Sequence, residues 1–385
     1  MKSLMWFRND LRIDDNPALK NACIESDEVH AIYIFSSKQN DLHNEANCKI
    51  QFIIENLKDL EQTLSKINIP LTIINSVNFN DNSHIIFDLI KERSFNKVFF
   101  NNQFGNDEQK RDEQIISSFN ENDIEFSSYD EKVIYPPGSI RTAENKPYSV
   151  FTPFKKKWIE NFNLDLLDIE FKYLPKKKSG IKSNVHHFDF NYKKTHSVDM
   201  SIWSPGEAHA KDRLNLYLSK NILKYSQDRN DPIIDGTSRI SPYLANGIIS
   251  PKRCILEALK INNYELDTGE KGITKWIDEI IWREFYKNIM YCFPKVSQNK
   301  PFQDYTNNIK WRYEESELNA WKNGNTGFPI IDSAMKQLKS EGWMHNRLRM
   351  VVAMFFTKNM LHDWQLGEEF FMQNLIDGDF SSNNG

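Results

Sequence analysis

Four short apolar runs punctuate the first 130 residues: Leu4-Met5-Trp6-Phe7, Val29-His30-Ala31-Ile32-Tyr33-Ile34-Phe35, Leu71-Thr72-Ile73-Ile74 and Val98-Phe99-Phe100. Amphipathic stretches of about 15 to 20 residues separate them, the length of a crossover helix. Strands this apolar are buried on both faces, so the rhythm predicts an α/β fold, a doubly wound parallel sheet covered by helices on both sides. From about 131 to 200 the period is lost among Tyr135-Pro136-Pro137-Gly138, two lysine triplets and His186-His187. That stretch reads as connecting chain draped over a surface, with one helix over 151–162. After Trp203-Ser204-Pro205-Gly206, apolar positions recur with helical period over 207–220, 251–260, 270–292, 328–341, 344–361 and 366–376. Ser204 and Ser250 precede prolines as helix N-caps do. The expected organisation is an α/β domain over 1–130, a linker over 131–200 and an all-helical domain over 201–385.

Hydrophobic residues at 39%, charged residues at 26% and a mean hydropathy of -0.61 belong to a globular chain. No stretch approaches the roughly 20 apolar residues of a membrane span. Lys2, Arg8 and Asp10 interrupt the region where a signal peptide carries its apolar run, so a cytoplasmic location is expected. Cys23, Cys48, Cys254 and Cys292 are far apart and form no pair at metal-ligand spacing, so neither structural zinc nor a disulfide framework is expected, and buried free thiols are. The formal charge is -4 and neither half has a basic excess, so any nucleic-acid contact must be a local patch. No G-x-G-x-x-G follows the first strand; Phe7-Arg8-Asn9-Asp10-Leu11-Arg12 stands there, which argues against the usual dinucleotide cradle. Six of the nine tryptophans lie after residue 275, which directs the search for chemistry to the helical part.

Projected as one helix, 272–293 places Glu279, Trp282, Arg283 and Tyr286 at i, i+3, i+4 and i+7, on one face. The plain account is an exposed Glu/Arg pair beside a core tryptophan. The functional account is a planar ligand with a polar edge, the indole stacking and the carboxylate reading the edge. Gly236-Thr237-Ser238-Arg239-Ile240-Ser241-Pro242 is either an ordinary N-cap or a diphosphate cradle ahead of a helix. Gly342-Trp343-Met344-His345-Asn346-Arg347-Leu348-Arg349-Met350 opens another helix, its arginines at i and i+2 pointing to different sides, one for a buried carboxylate and one for a phosphate. The tail from Leu375 through Asp377-Gly378-Asp379 to Asn383-Asn384-Gly385 supplies candidate carboxylates or forms a helix C-terminal turn.

In this order, Trp6-Phe7-Arg8-Asn9-Asp10-Leu11-Arg12, Gly236-Thr237-Ser238-Arg239, Trp282-Arg283-Glu284-Phe285-Tyr286, Thr326-Gly327-Phe328-Pro329, Trp343-Met344-His345-Asn346-Arg347 and Asp377-Gly378-Asp379 resemble the photolyase/cryptochrome family. The resemblance is closest to bacterial class I cyclobutane pyrimidine dimer photolyases and runs from residue 3 to the last residue. It implies a helical domain holding FAD in a U shape, with contacts from Tyr225, from Thr237, Ser238, Arg239, Ile240 and Ser241 at the diphosphate, and from Trp276. Around the isoalloxazine it implies Asn346, an Arg349 to Asp377 ion pair, Gly378, Asp379, and Asn383 beside flavin N5. A buried arginine near a reduced, anionic flavin needs a carboxylate, and an asparagine can offer its carbonyl to a protonated N5.

The resemblance also implies that light-excited FADH⁻ passes an electron to a cyclobutane pyrimidine dimer flipped out of UV-damaged DNA, that the ring splits and that the electron returns. Glu279 would then be protonated in a desolvated cleft and stabilise the pyrimidine radical anion. Trp282 would pack on the dimer, Met350 line its pocket, and Arg229 and Arg347 hold lesion-strand phosphates, with Arg283 and Tyr286 on the same DNA-binding face. Glu279, Trp282, Asn346 and Asn383 are the catalytic set so implied. Enzymes acting on the (6-4) photoproduct carry histidines where Asn346 and Met350 stand, which favours the cyclobutane dimer.

Relatives relay electrons to the flavin through three tryptophans. Trp364 and Trp311 match the middle and outer ones, and the inner one is due a few residues beyond Gly385, so a chain incomplete at its C-terminus is expected. Glu108 matches the glutamate that binds a 5,10-methenyltetrahydrofolate antenna, while Ser297 and Gln298 replace the cysteine and lysine that usually complete that site. Folate is the antenna expected first, with a deazaflavin or none as alternatives. A monomer is expected. The rival readings are a cryptochrome-like photoreceptor, which needs no dimer pocket, an inactive photolyase fragment, and a dark FAD oxidoreductase, against which the missing nicotinamide cradle argues.

Overall fold

The computed structural model describes residues 1–169, 173–194, 197–298 and 300–384. Five strands, β1 (Lys2–Phe7), β2 (Glu28–Ser36), β3 (Leu71–Ser76), β4 (Lys97–Asn101) and β5 (Glu125–Tyr129), form one parallel sheet in the order β3-β2-β1-β4-β5. β1 pairs with β2 from Lys2↔Glu28 to Phe7↔Tyr33 and with β4 from Ser3↔Lys97 to Trp6↔Phe100. The expected doubly wound sheet is present, and its central strand is buried on both faces. Met5 and Phe7 enter one core with Ala31, Phe35 and Phe99; Leu4 and Trp6 enter another with Ile32, Val98 and Ile115. β5 adds to the four strands legible in the sequence; as an edge strand it is half-buried and has only Phe126 and Tyr129 as large side chains.

The loops beyond the carboxyl ends of β1 and β4, where strand order reverses, are tied down by charge. Arg8 pairs with Asp112 at 2.6 Å and donates to the Asn101 carbonyl, and Asn101 Nδ2 donates to Asp10 at 2.6 Å. Buried Arg12 pairs with Asp15 and, at 2.6 Å, with Glu131, and it donates to the Gly247 carbonyl at 3.1 Å. Gly247 sits at φ +65°, and a Cβ there would lie 2.1 Å from the Asn9 carbonyl oxygen, so only glycine lets the helical part approach the sheet this closely. One buried cluster accordingly runs from Met5 and Phe99 through Trp203, Leu214 and Tyr243 to Ile277.

Residues 131–200 are more than chain draped over a surface, because Ile134, Ile140, Phe154 and Trp158 are buried. Glu284, in the helix Lys271–Cys292, accepts from Ile134 N at 2.6 Å, Tyr135 N at 3.0 Å and Trp158 Nε1 at 2.7 Å. One turn on, Asn288 Oδ1 accepts from Gly138 N at 2.8 Å. The helix expected over 151–162 runs Phe151–Glu160.

Helices Glu207–Lys220, Pro251–Ile261, Lys271–Cys292 and Pro329–Glu341 occupy their expected spans to within a residue. Ser250 caps its helix, accepting from Arg253 N at 2.9 Å, but Ser204 caps nothing; Gly206 at φ +104° precedes Glu207–Lys220 instead. The helix expected over 344–361 is divided. His345 Nδ1 caps Asn346–Met354 by accepting from Arg347 N at 3.2 Å, and a π-helical turn follows over Phe355–Asn359. The one expected over 366–376 runs Trp364–Met372, its start fixed by Asp363, and the sequence pattern does not mark Glu315–Asn323. Among the described residues no helix is long and apolar enough to cross a membrane.

Burial pushes the Glu284 carboxyl up to about 7 against its three donors and Arg283. A carboxyl raised in the folded state stabilises fully below its unfolded value of 4.5 and loses that contribution as pH rises through the folded value of about 7. The stability advantage of wild type over Glu284→Gln is therefore expected to shrink by on the order of 3 kcal/mol across that window. Urea unfolding of both proteins at the two ends of the window checks this; parallel pH profiles would count against it.

Candidate active site

The face of Lys271–Cys292 opposite Glu284 and Asn288 borders a cavity of about 850 Å³. Tyr225, Arg229, residues 237–241, Trp276, Glu279, Trp282, Arg283, Tyr286, Asn346, Arg347, Arg349, Met350, Trp364, Asp377, Asp379 and Asn383 line it. Residues singled out in separate stretches of sequence thus converge on one space. Gly378 and Glu108 line a second cavity, and Trp311 lines neither.

Glu279 is ion-paired with Arg229 Nη1, and Arg229 lies 5.3 Å over the Tyr225 ring. The arginine expected at a phosphate therefore sits on the carboxylate expected to donate, and Glu279 in this pairing accepts. Trp282 stacks on Phe151 with centroids 3.6 Å and planes 9° apart, and Tyr286 lies 5.5 Å away. Phe151 thus covers one face of the indole expected to meet a ligand. Arg283 departs from its expected place on a DNA-binding face: Nη1 donates to the Lys132 carbonyl at 2.7 Å and Nη2 to the Leu244 carbonyl at 3.3 Å. Helical spacing puts its Cα on the stripe, but its length carries the guanidinium to buried backbone acceptors.

Across the cavity, Ser241 Oγ donates to Asp377 Oδ2 at 2.6 Å and accepts from Trp343 Nε1 at 3.2 Å, while Trp276 Nε1 donates to Ser238 at 3.4 Å. Arg239, at φ +48°, lies 4.8 Å over Trp343 and bonds Glu341 at 3.2 Å. Arg349 Nη2 donates to Asp377 Oδ2 at 2.7 Å and Nε to the Met344 carbonyl at 2.8 Å. Arg347 points the other way and brackets Asn230 Oδ1 at 3.1 and 2.8 Å, as expected for arginines two residues apart. Asn346 and Met350 are exposed at the rim.

Asp379 accepts from Ser382 N at 3.1 Å and pairs with buried Lys287 at 2.8 Å. Burial alone would raise its carboxyl, but the charges of Lys287 and Arg283 and the bonds from Lys287 and Ser381 hold it well below the usual carboxylate range. Asn383 Nδ2 donates to the Glu368 carbonyl and to Glu368 Oε1, both at 3.1 Å, which fixes the amide orientation and leaves its carbonyl oxygen for a ligand. Burial raises the Glu368 carboxyl against that bond. Asp377 Oδ1 and both amide atoms of Asn384 are buried without hydrogen-bond partners among the described residues, and Gly385 lies outside them. Polar atoms in that state call for a bound group or water.

The second cavity, about 320 Å³, is lined by Glu108, His43, Ser297, Gly378, Lys132 and Lys287 among others. His43 lies 3.2 Å from Asp107 and 3.9 Å from Glu108. Ala245, Glu368 and Asp379 line both cavities and so form the wall between them.

Residues 3–175 match a family model described as DNA photolyase, and residues 276–385 one described as the FAD binding domain of DNA photolyase. The chain is 36% identical over 384 residues to the deoxyribodipyrimidine photo-lyase of Escherichia coli K12, covering 99% of this chain and 80% of that one. The chain belongs to the DNA photolyase family. Its identity to the deoxyribodipyrimidine photo-lyase of Vibrio cholerae is 35% over 390 residues, covering 99% and 81%. A class III photolyase from Agrobacterium tumefaciens superimposes with a TM-score of 0.85 at 29% identity, over 100% of this chain and 78% of that one. An archaeal photolyase from Sulfolobus tokodaii, solved with two FAD molecules, gives 0.83 at 25%, over 100% and 81%.

The larger cavity of this photolyase-family chain suits FAD on its own terms. Its volume is within the range of ligand sites, aromatic side chains line it, and Arg349 and Asp377 bring opposite charges beside an unsatisfied buried oxygen. Sequence reading did not single out Phe151, Lys287, Glu368 or Asn384. Phe151 lies in the connecting segment, and the two charged residues resemble any solvated helix charge. In the ligand-free protein Arg349→Met should cost about 3 kcal/mol, because Asp377 would be left buried and without its cation. Urea unfolding reads this, and adding Asp377→Leu should recover most of the loss; no loss in the single variant would show that the pair is not what holds Asp377.

Proposed function

We propose that this chain splits cyclobutane pyrimidine dimers in damaged DNA with light. The observation that carries the reading is that Glu279, Trp282, Arg229, Arg347 and Met350 rim the same cavity whose inner wall holds residues 237–241, Arg349, Asp377 and Asn383. The relatives in Escherichia coli and Vibrio cholerae named as deoxyribodipyrimidine photo-lyase support it. FAD bound there in reduced form supplies, on excitation, the electron that opens the cyclobutane ring and takes it back, with no net redox change.

Thr237, Ser238, Arg239, Ile240 and Ser241 hold the diphosphate, flanked by Tyr225 and Trp276. Arg349 with Asp377 would balance charge beside the ring system, Asn346 and Asp379 would complete its surroundings, and Asn383 would offer its carbonyl to it; Gly378 lines the smaller cavity and enters only through the turn it makes between Asp377 and Asp379. Trp282, stacked on Phe151 and beside Tyr286, lines the cavity where a flipped dimer would pack. As the lesion enters, Arg229 leaves Glu279 for a lesion-strand phosphate, and the released carboxylate takes a proton from water as the cleft is desolvated, so that neutral Glu279 donates to a pyrimidine carbonyl. Arg347 takes a second phosphate in place of Asn230, Met350 lines the dimer pocket, and Arg283 positions the 132 and 244 backbones.

Trp364 in the cavity wall and Trp311 outside it match the middle and outer members of a tryptophan relay, whose inner member is not among the described residues. Glu108, which lines the smaller cavity together with Ser297, holds an antenna, with 5,10-methenyltetrahydrofolate as the first candidate. The chain acts as a monomer in the cytoplasm, a reducing compartment that suits its four unpaired cysteines. Its functional division is 1–130 for the antenna, 131–200 as connection and 201–385 for FAD and DNA.

With reduced FAD bound, the protein is expected to split thymine dimers under blue or near-UV light. Glu279→Ala should lower the splitting yield while leaving lesion affinity within about 1 kcal/mol, the worth of one hydrogen bond. Yield per absorbed photon and lesion binding are measured together. Unchanged yield removes Glu279 from the reaction, and repair confined to (6-4) products overturns the substrate.

A further inference from the structure

Lys132 is only 9% exposed and lines the smaller cavity, yet its ammonium has neither a hydrogen-bond nor an ion-pair partner among the described residues. The surrounding charges are already committed. Lys49 bonds the Gly378 carbonyl at 2.7 Å and Glu45 at 2.6 Å, and Lys287 is held by Asp379 at 2.8 Å. Glu131 is engaged by Arg12 at 2.6 Å. Burial, then the Lys287 charge, push the Lys132 ammonium down to about 7, and the charges of Glu131 and Asp379 offset this only in part. An unpaired buried cation costs stability unless an anion reaches it. Elsewhere the same cavity is lined by Asp107, Glu108 and His43, acceptors suited to ring N–H groups.

We infer that the Lys132 end of this cavity is an anion subsite, taking the carboxylate or phosphate of a conjugated small molecule whose ring donors meet Glu108. The chromophore role rests on the antenna reading above; the charge argument does not. The test uses protein saturated with FAD, so that the larger cavity is filled, and two ligand pairs. One is 5,10-methenyltetrahydrofolate against a tetrahydropterin without the acidic tail, the other flavin mononucleotide against riboflavin.

In at least one pair the acidic member should bind about tenfold or more tightly than the neutral one, as a charge-assisted contact allows. Lys132→Met should abolish that ratio and Lys132→Arg keep it. The thermal midpoint of ligand-free Lys132→Met should equal or exceed that of wild type. Selectivity for the flavin pair alone would retire folate as the antenna and leave the subsite standing. Equal binding within both pairs, binding of neither acidic ligand, or a ratio that survives Lys132→Met overturns the subsite. A lowered midpoint with an unchanged ratio makes Lys132 a structural lysine and does the same.

Discussion

Glu284 accepts from two backbone N–H groups and an indole while buried at the centre of the longest helix of the catalytic part, and the path of the chain after the sheet follows from that one carboxyl. A buried acceptor of this kind has to be satisfied, and here the segment 134–158 satisfies it. Pinning that segment brings Phe151 against Trp282 and the Lys132 carbonyl onto Arg283. The connecting chain becomes part of the cavity wall. One helix therefore holds the connection on one face and shapes the ligand space with the other.

The second governing feature is electrostatic. The chain carries a formal charge of -4, yet Arg229, Arg239, Arg347 and Arg349 are gathered around one cavity, each on an acceptor of its own: Glu279, Glu341, Asn230 and Asp377. Net charge hides such a patch because its compensation is internal. On the function proposed above, anionic ligands entering this space would exchange partners with side chains already charged, which avoids creating a bare buried ion. The pairs that are most exposed, Arg347 with Asn230 above all, are the ones placed to exchange.

The sequence pattern made most of the sheet and the main helices legible because their apolar positions are periodic and their ends are marked, as at Ser250. β5 escaped because an edge strand needs few apolar residues. The buried part of the connecting segment escaped because Phe154 and Trp158 anchor it singly, without a period. Ordered motifs gathered the cavity residues, since their types and order are constrained by what they line. Partnerships were less accessible. That Arg229 holds Glu279, that Arg283 turns to carbonyls and that the Lys132 ammonium finds no hydrogen-bond or ion-pair partner among the described residues are matters of side-chain reach, which spacing along a helix does not encode.

Ala245, Glu368 and Asp379 border both cavities, and the smallest of the three has a consequence for variation. Ala245 is buried apart from these two spaces, so a methylene added there narrows the flavin-sized space, the smaller space beside it, or both. The two compartments therefore cannot be resized independently at that position. Any lineage or engineer enlarging residue 245 to suit one occupant would have to accept a changed fit for the other.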